Sequence, residues 1–296
     1  MKKADLHIHT LYSSDGEHTV SDILNMCLNA DIGTFSITDH NTVGATTEAA
    51  ALASEKDILF ISGIEIDCNY KGNDLHLLGY GIDWESEDFA RLEASVSKLV
   101  LDSFSQMVDN LLGLGFNVDA EAVMNKADGK LPSPELIAEV MLSDKKYETP
   151  LLKPYMAGGE RSDMPYINFY LDYFAQGKSA YVPITYMDYS DALQLVTDNG
   201  GIPIVAHPGL NFRGKEEVIP ELLDKGARGL EVFNNYHDTQ QIHYFASLVT
   251  ERKALMTCGS DFHGKTKPLI QIGQYKFDDK YKEYLDISVT TIAERK

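Results

Sequence analysis

The feature that most restricts how this chain can fold is a series of short β-rich runs, most of them holding a histidine or a carboxylate. In order they are KADLHIHT, GTFSITDH, ILFISGIEI, LHLLGYGI, GIPIVAHPG, GLEVFNN and ALMTCGSDFHG. Segments with helical spacing separate many of them. Thr19 is placed to cap a helix over 19–30, where Ile23, Leu24, Cys27 and Leu28 share one face. Residues 41–54 are rich in alanine, and 189–199 stops at Gly200 and Gly201. Residues 238–253 repeat Ile242, Phe245, Leu248 and Val249 at helical intervals. Strands alternating with helices predict an α/β fold built on a parallel sheet. This many units predict a closed, distorted barrel over an open sheet.

Between residues 86 and 177 the rhythm breaks, with almost no strand signal. Phe89, Leu92, Val96, Leu99, Met107, Leu111 and Leu112 outline one long amphipathic helix that ends near Gly113 and Gly115. Shorter helical pieces follow near Ala120 and over 134–142 and 166–174. The expected organisation is a barrel domain of residues 1–85 and 178–296, with a helical insertion, 86–177, folded over the site.

At 296 residues the chain is long enough for one large barrel or a core with a smaller lobe. The opening MKKADLHIHT has two lysines but no apolar run behind them, which argues against a signal peptide. No stretch approaches the roughly 20 apolar residues needed to span a bilayer. Cys27, Cys68 and Cys258 are widely separated and form no C-x-x-C pair, a pattern of buried thiols in a reducing cytoplasm. A cytoplasmic protein without membrane attachment is expected, its oligomeric state left open. The formal charge of −19 makes long nucleic acid an unsuitable partner.

Side chains alternate along a strand, so Asp5, His7 and His9 point to one face, and His7 and His9 can converge on a cation. The other runs repeat the theme with Asp39 and His40, Glu65, His76, His207, and Asp261 with His263. In a parallel βα array the carboxyl ends of the strands share one face. Independent structural roles for so many ligand-type residues are hard to sustain, and a multi-metal site is predicted. Imidazole and carboxylate without thiolate suit Zn²⁺, Mn²⁺ or Fe²⁺. Cys68 and Cys258 read as packing residues.

The ordered set DLHIHT, SDG, ITDHN, GIEI, LHLLGYGI, GGIPIVAHPG, GLEV and GSDFHG resembles the motifs of the PHP family, named for polymerase and histidinol phosphatase domains. YFAQGKSAYVPI resembles a segment of its small-phosphoesterase branch, which contains nucleotide phosphatases and short-RNA exonucleases. The resemblance covers nearly the whole chain. It implies a distorted, seven-stranded β/α barrel with three divalent ions. One ion would take His7, His9, Glu65 and Asp261. A second would share Glu65 as a bridge with His76 and His207, and a third would take Asp15, His40 and His263. Asp5 and Asp39 would orient neighbouring histidines, and Glu231 would act from outside the ligand set.

One departure stands out. Relatives often carry an Arg-Pro-His run where this chain has Ser133, Pro134 and Glu135, so contacts to a substrate phosphate are exchanged for an anion. Arg213 and Lys215, just after HPGL, are the nearest cations to a ligand strand, and His237 is a candidate proton donor to the leaving alcohol. The expected activity is hydrolysis of small phosphate esters, nucleotides among them, by a metal-bridging hydroxide. The alternatives are a short-RNA 5′–3′ exonuclease and a non-catalytic metal-binding module. A C–N hydrolase is disfavoured because Glu65 occupies the bridging position where such enzymes usually carry a lysine.

Overall fold

A computed structural model describes residues 3–295. Three parallel strands, β1 (Lys3–Asp5), β2 (Ile32–Ser36) and β3 (Leu59–Ile61), form one sheet in the order β1-β2-β3. The second sheet holds β4 (Gly63–Tyr70), β5 (Asn73–Tyr80), β6 (Met187–Asp188), β7 (Ile202–Val205), β8 (Gly229–Phe233) and β9 (Leu255–Cys258). Its order is β6-β4-β5-β7-β8-β9, and β5 runs antiparallel to both its neighbours.

The α/β class and the parallel-rich sheets agree with the sequence pattern, but the sheets do not close into a seven-stranded barrel. They approach each other on both sides through a few backbone contacts. On one side Leu6 N–H donates to Cys258 O at 3.0 Å, and an isolated bridge pairs Ile8 with Phe262. On the other, a bridge pairs His40 with Glu65. The run ILFISGIEI, which reads as one strand, breaks at Ser62. Its first part stays with β2, while its second part forms a long hairpin with β5. The strands of the smaller sheet are too short to carry a continuous ladder round the ring.

The helices follow their sequence signals. In α1 (Val20–Asn29) Thr19 and Asp22 make a reciprocal capping box, satisfying two orphan N–H groups. Helix α2 spans Thr46–Ser54. The long α3 (Glu87–Leu114) starts at the Ser86 cap and ends at Gly115, whose φ of 95° is the left-handed turn that glycine tolerates. Next come α4 (Ala120–Ala127), α5 (Pro134–Ser143) and α6 (Pro165–Phe169), the last continuing as a π-helical turn over Tyr170–Phe174. The second half of the molecule adds α7 (Tyr189–Asp198), α8 (Pro208–Asn211), α9 (Ile219–Lys225), α10 (Thr239–Arg252) and α11 (Lys282–Ala293).

Helix α3 belongs to two cores. Phe89, Leu92 and Val96 pack with Ile64, Leu77, Ile204 and Val232 of the sheet. Phe104, Met107, Val108 and Leu111 instead join a separate core with Phe116, Ile137, Met141, Phe169 and Phe174. Each fully buried side chain of this size contributes about 1.5–3 kcal/mol, so the helices after α3 share a core of their own with the second half of α3. All three cysteines are buried and unpaired. Among the described residues, no helix is long and apolar enough to cross a membrane.

Candidate metal centre

Glu65, on β4 and fully buried, is the hub of the site. Its Oε2 lies 3.0 Å from His7 Nε2 and 3.2 Å from His9 Nε2, while its Oε1 lies 2.9 Å from His76 Nδ1 and 3.0 Å from His207 Nε2. The two oxygens therefore face two different clusters, as a bridging carboxylate must. Asp261 Oδ1 completes the first cluster, 3.3 Å from His7 Nε2 and 3.2 Å from His9 Nε2. A third lies beside it, where Asp15 Oδ2 is 3.1 Å from His263 Nε2 and 3.9 Å from His40 Nε2.

Among the described residues, the donor atoms of His7, His9, Glu65 and Asp261 all lie within 4.8 Å of one another. So do those of Glu65, His76 and His207, and those of His9, Asp15, His40 and His263. The structure thus brings together every ligand candidate read from the sequence. A fourth group, His40, Asp67 and His76, was not foreseen.

These residues fit divalent cations. Buried polar atoms are normally hydrogen-bonded, yet both nitrogens of His9, Nδ1 of His40 and His207, and Nε2 of His263 have no such partner. The same groups act strongly on one another. Burial alone would raise the pKa of the Glu65 carboxyl, but His7, His40 and His76 outweigh it and hold it well below the usual range. Burial alone would lower His7, but Glu65, Glu231 and Asp261 push it well above its ordinary value. The pocket is built to balance concentrated positive and negative charge.

Two of the ligand candidates occupy unusual backbone. His207 has a φ of 23° and Asp261 a φ of 57°, both at strand ends. Non-glycine residues pay for such conformations, and they persist where the surroundings over-determine them. Glu231 Oε2 accepts from the His207 N–H at 2.8 Å, and Asp261 N–H donates to His7 O at 2.8 Å.

Asp5 and Asp39 are placed differently from their expected role, because neither carboxylate meets an imidazole. Asp5 accepts from the backbone N–H groups of Ser260 at 2.9 Å and Gly273 at 2.6 Å. Asp39 accepts from Thr10 N–H at 2.6 Å and Thr10 Oγ1 at 2.7 Å. Burial raises both carboxyls to about 6. They tie the ligand-bearing loops to one another. The ring-orienting role falls to Glu231, whose Oε1 lies 3.0 Å from His7 Nδ1.

His237 also departs from expectation. It is fully buried, with Nδ1 2.9 Å from Val232 O and Nε2 accepting from Gly209 N–H at 2.9 Å. Both nitrogens are committed to the fold, so the proton-donor role is not carried forward. Tyr236 and Lys267 were missed by sequence reading, although Lys267 stands four residues after His263. Lys267 Nζ donates to Asp261 Oδ2 at 2.6 Å and Tyr236 Oη donates to the same oxygen, which leaves Oδ1 for the histidines.

A cavity of about 970 Å³ opens above these clusters. Its floor includes Asp15, His40, Glu65, His76, His207 and Asp261, and its roof includes Val100 and Met107 of α3 with Met164, Ile167, Tyr170 and Phe174. Lys130, Lys267, Arg213 and Lys215 reach the wall, the last two from exposed positions. Lys215 Nζ donates to Asn73 Oδ1 at 2.7 Å. Ser133 and Glu135 line the cavity too, but Ser133 Oγ is engaged in capping α5, accepting from Leu136 N–H at 3.2 Å. Burial, then Asp15, pushes the Glu135 carboxyl up to about 7.

The PHP domain matches residues 5–148. A 3′,5′-nucleoside bisphosphate phosphatase from Chromobacterium violaceum is 27% identical over 269 residues, covering 89% of this chain and 88% of the relative. A 5′–3′ exoribonuclease from Haemophilus influenzae is 26% identical over 265 residues, covering 88% of this chain and 90% of the relative. A Bifidobacterium adolescentis structure, described as a candidate metal-dependent phosphoesterase, superposes with a TM-score of 0.75 at 23% identity, over 96% of this chain and 95% of that one.

Proposed function

We propose that the chain is a metal-dependent phosphoesterase of the PHP family and that it hydrolyses phosphate esters of small molecules, nucleotides among them, using up to three divalent ions. The observation that carries this reading is the convergence of the ligand clusters on the floor of one roofed cavity of about 970 Å³. That volume lies within the roughly 300–1,000 Å³ of small-molecule sites.

His7, His9, Glu65 and Asp261 would hold one ion, Glu65, His76 and His207 a second, and Asp15, His40 and His263 a third. Bound divalent ions supply Lewis acidity toward a phosphoryl oxygen and lower the pKa of water toward neutrality. Glu65 holds the first two groups in register through its two oxygens. Lys267 adds a fixed positive charge beside Asp261, where phosphate oxygens would accumulate negative charge. The apolar and aromatic roof excludes water and receives the organic part of the ester.

The test is a comparison of kcat/KM for a nucleoside monophosphate, a nucleoside 3′,5′-bisphosphate and a long single-stranded RNA, with bound metal measured on the same preparation. Turnover of the small esters by protein containing more than one equivalent of transition metal is expected, and Glu65→Ala should abolish both turnover and metal retention. A clear preference for the RNA would overturn the small-substrate reading. Absence of metal after reconstitution would overturn the centre.

A further inference from the structure

We propose that Asp67 is a positioning residue that aims His40 and His76 at two different metal groups at once. The inference rests on the metal-centre reading above and assigns a role to a residue outside its ligand sets.

Asp67 lies two residues after Glu65 on β4, so both side chains point to the same face of the strand. In the β4–β5 ladder its direct cross-strand partner is His76. Its Oδ1 lies 3.3 Å from His76 Nε2 and also 3.3 Å from His40 Nδ1. One carboxylate oxygen is therefore placed between two imidazoles from different parts of the chain. Oδ1 of Asp67 and Nδ1 of His40 are both buried without a conventional hydrogen-bond partner.

The remaining nitrogens face elsewhere. His76 Nδ1 is 2.9 Å from Glu65 Oε1, whereas His40 Nε2 faces Asp15 Oδ2 at 3.9 Å. Each ring thus presents one nitrogen to a metal group and the other to Asp67, with His40 Nδ1 lying 3.5 Å from Glu65 Oε2 as well. An outer carboxylate that fixes the tautomer and plane of a ligating imidazole is the usual support for such a ligand. Here one carboxylate would serve two.

Asp67 is itself held. Asn41 Nδ2 donates to Asp67 Oδ2 at 2.8 Å, and the Asp67 N–H donates to Asn41 Oδ1 at 3.0 Å. Asn41 can turn back onto β4 because it adopts a φ of 57°, a left-handed conformation that asparagine tolerates. Its own N–H donates to Glu65 O at 2.7 Å. Direct ligation by Asp67, together with the same two rings, is the competing arrangement. A neutral imidazole ligates through one nitrogen, and both rings already direct one nitrogen into other clusters.

The experiment is Co²⁺ titration of metal-free wild type, Asp67→Asn and Asp67→Ala, followed by visible absorption and bound equivalents, with the melting temperature of each metal-free protein as a control. Asp67→Ala should weaken the Co²⁺ equivalents that depend on His40 and His76 by about 10- to 100-fold. It should leave the tightest equivalent, at His7, His9, Glu65 and Asp261, in place. Asp67→Asn keeps an oxygen acceptor and should fall between. Unchanged titrations in both variants would overturn the proposal, as would loss of a whole equivalent in Asp67→Asn, the signature of a direct ligand. If wild type itself takes up no Co²⁺, the metal-centre reading fails first, and the two failures are told apart.

Discussion

Glu231 Oε1 lies 3.0 Å from Nδ1 of His7, with neither side chain exposed to solvent. The contact turns His7 Nε2 toward Glu65 and Asp261. The other oxygen of Glu231 accepts from the backbone N–H of His207, so one carboxylate steadies ligands of two clusters. Glu231→Gln should lower metal affinity by about 10- to 100-fold, read by competitive chelator titration. An affinity equal to that of wild type would show that the His7 ring is held by something else.

Glu135 places a buried carboxyl in the cavity near Asp15. A second phosphate entering there meets this acid. Glu135→His should raise kcat/KM for a nucleoside 3′,5′-bisphosphate relative to a monophosphate by about tenfold, roughly 1.4 kcal/mol. Adding Ser133→Arg would confuse the test. Ser133 caps α5, and losing such a cap costs about 1 kcal/mol. A relative kcat/KM that does not move in Glu135→His would show that this position does not read the second phosphate.

His237 should contribute to the acid sensitivity of the fold. Burial lowers its pKa from the ordinary 6.5 to about 4. Between those values the unfolded chain binds the proton and the folded chain does not. Its contribution is therefore fully present above pH 6.5 and is lost as pH falls toward 4. The loss is on the order of 3 kcal/mol over that window. Metal-free wild type should lose melting temperature more steeply than His237→Gln on going from pH 7 to pH 5, whatever the absolute stability of the variant. Parallel slopes would contradict this.

Much of the centre was legible because strand alternation and strand-end placement are local properties. His7 and His9 share a face by period, and most of the remaining ligand candidates lie within or at the ends of recognisable runs. The same rule, applied two residues past Glu65, would have found Asp67. Outer partners were harder to read because they depend on packing across the sheet. Asp5 and Asp39 are close to ligands in sequence, yet their carboxylates turn to backbone N–H groups. Glu231 reaches His7 across 224 positions of sequence. Barrel closure was over-read for a related reason. A run of apolar residues does not show that its strand will change partners at Ser62.

Gly259 shows how little room the centre has. A Cβ built there would lie 2.2 Å from His7 Cβ and 2.8 Å from both His7 N and Glu231 Oε1. Two of those atoms lie on or next to the backbone of β1's continuation, and the third is the oxygen that orients His7, so neither side can yield cheaply. Gly113, in α3, has nothing within 4 Å of the corresponding position. Gly113→Ala should therefore stabilise the protein by about 0.5–1 kcal/mol through helix propensity. Gly259→Ala should lower the melting temperature and weaken metal binding together, since displacing His7 disturbs the fold and the first cluster in one step. Thermal unfolding with and without added metal separates these effects. The metal-induced rise in melting temperature should shrink in Gly259→Ala and stay at the wild-type value in Gly113→Ala. An undiminished rise in Gly259→Ala would mean that His7 moves aside without loss, and that the close approach of Gly259 is not needed to hold it.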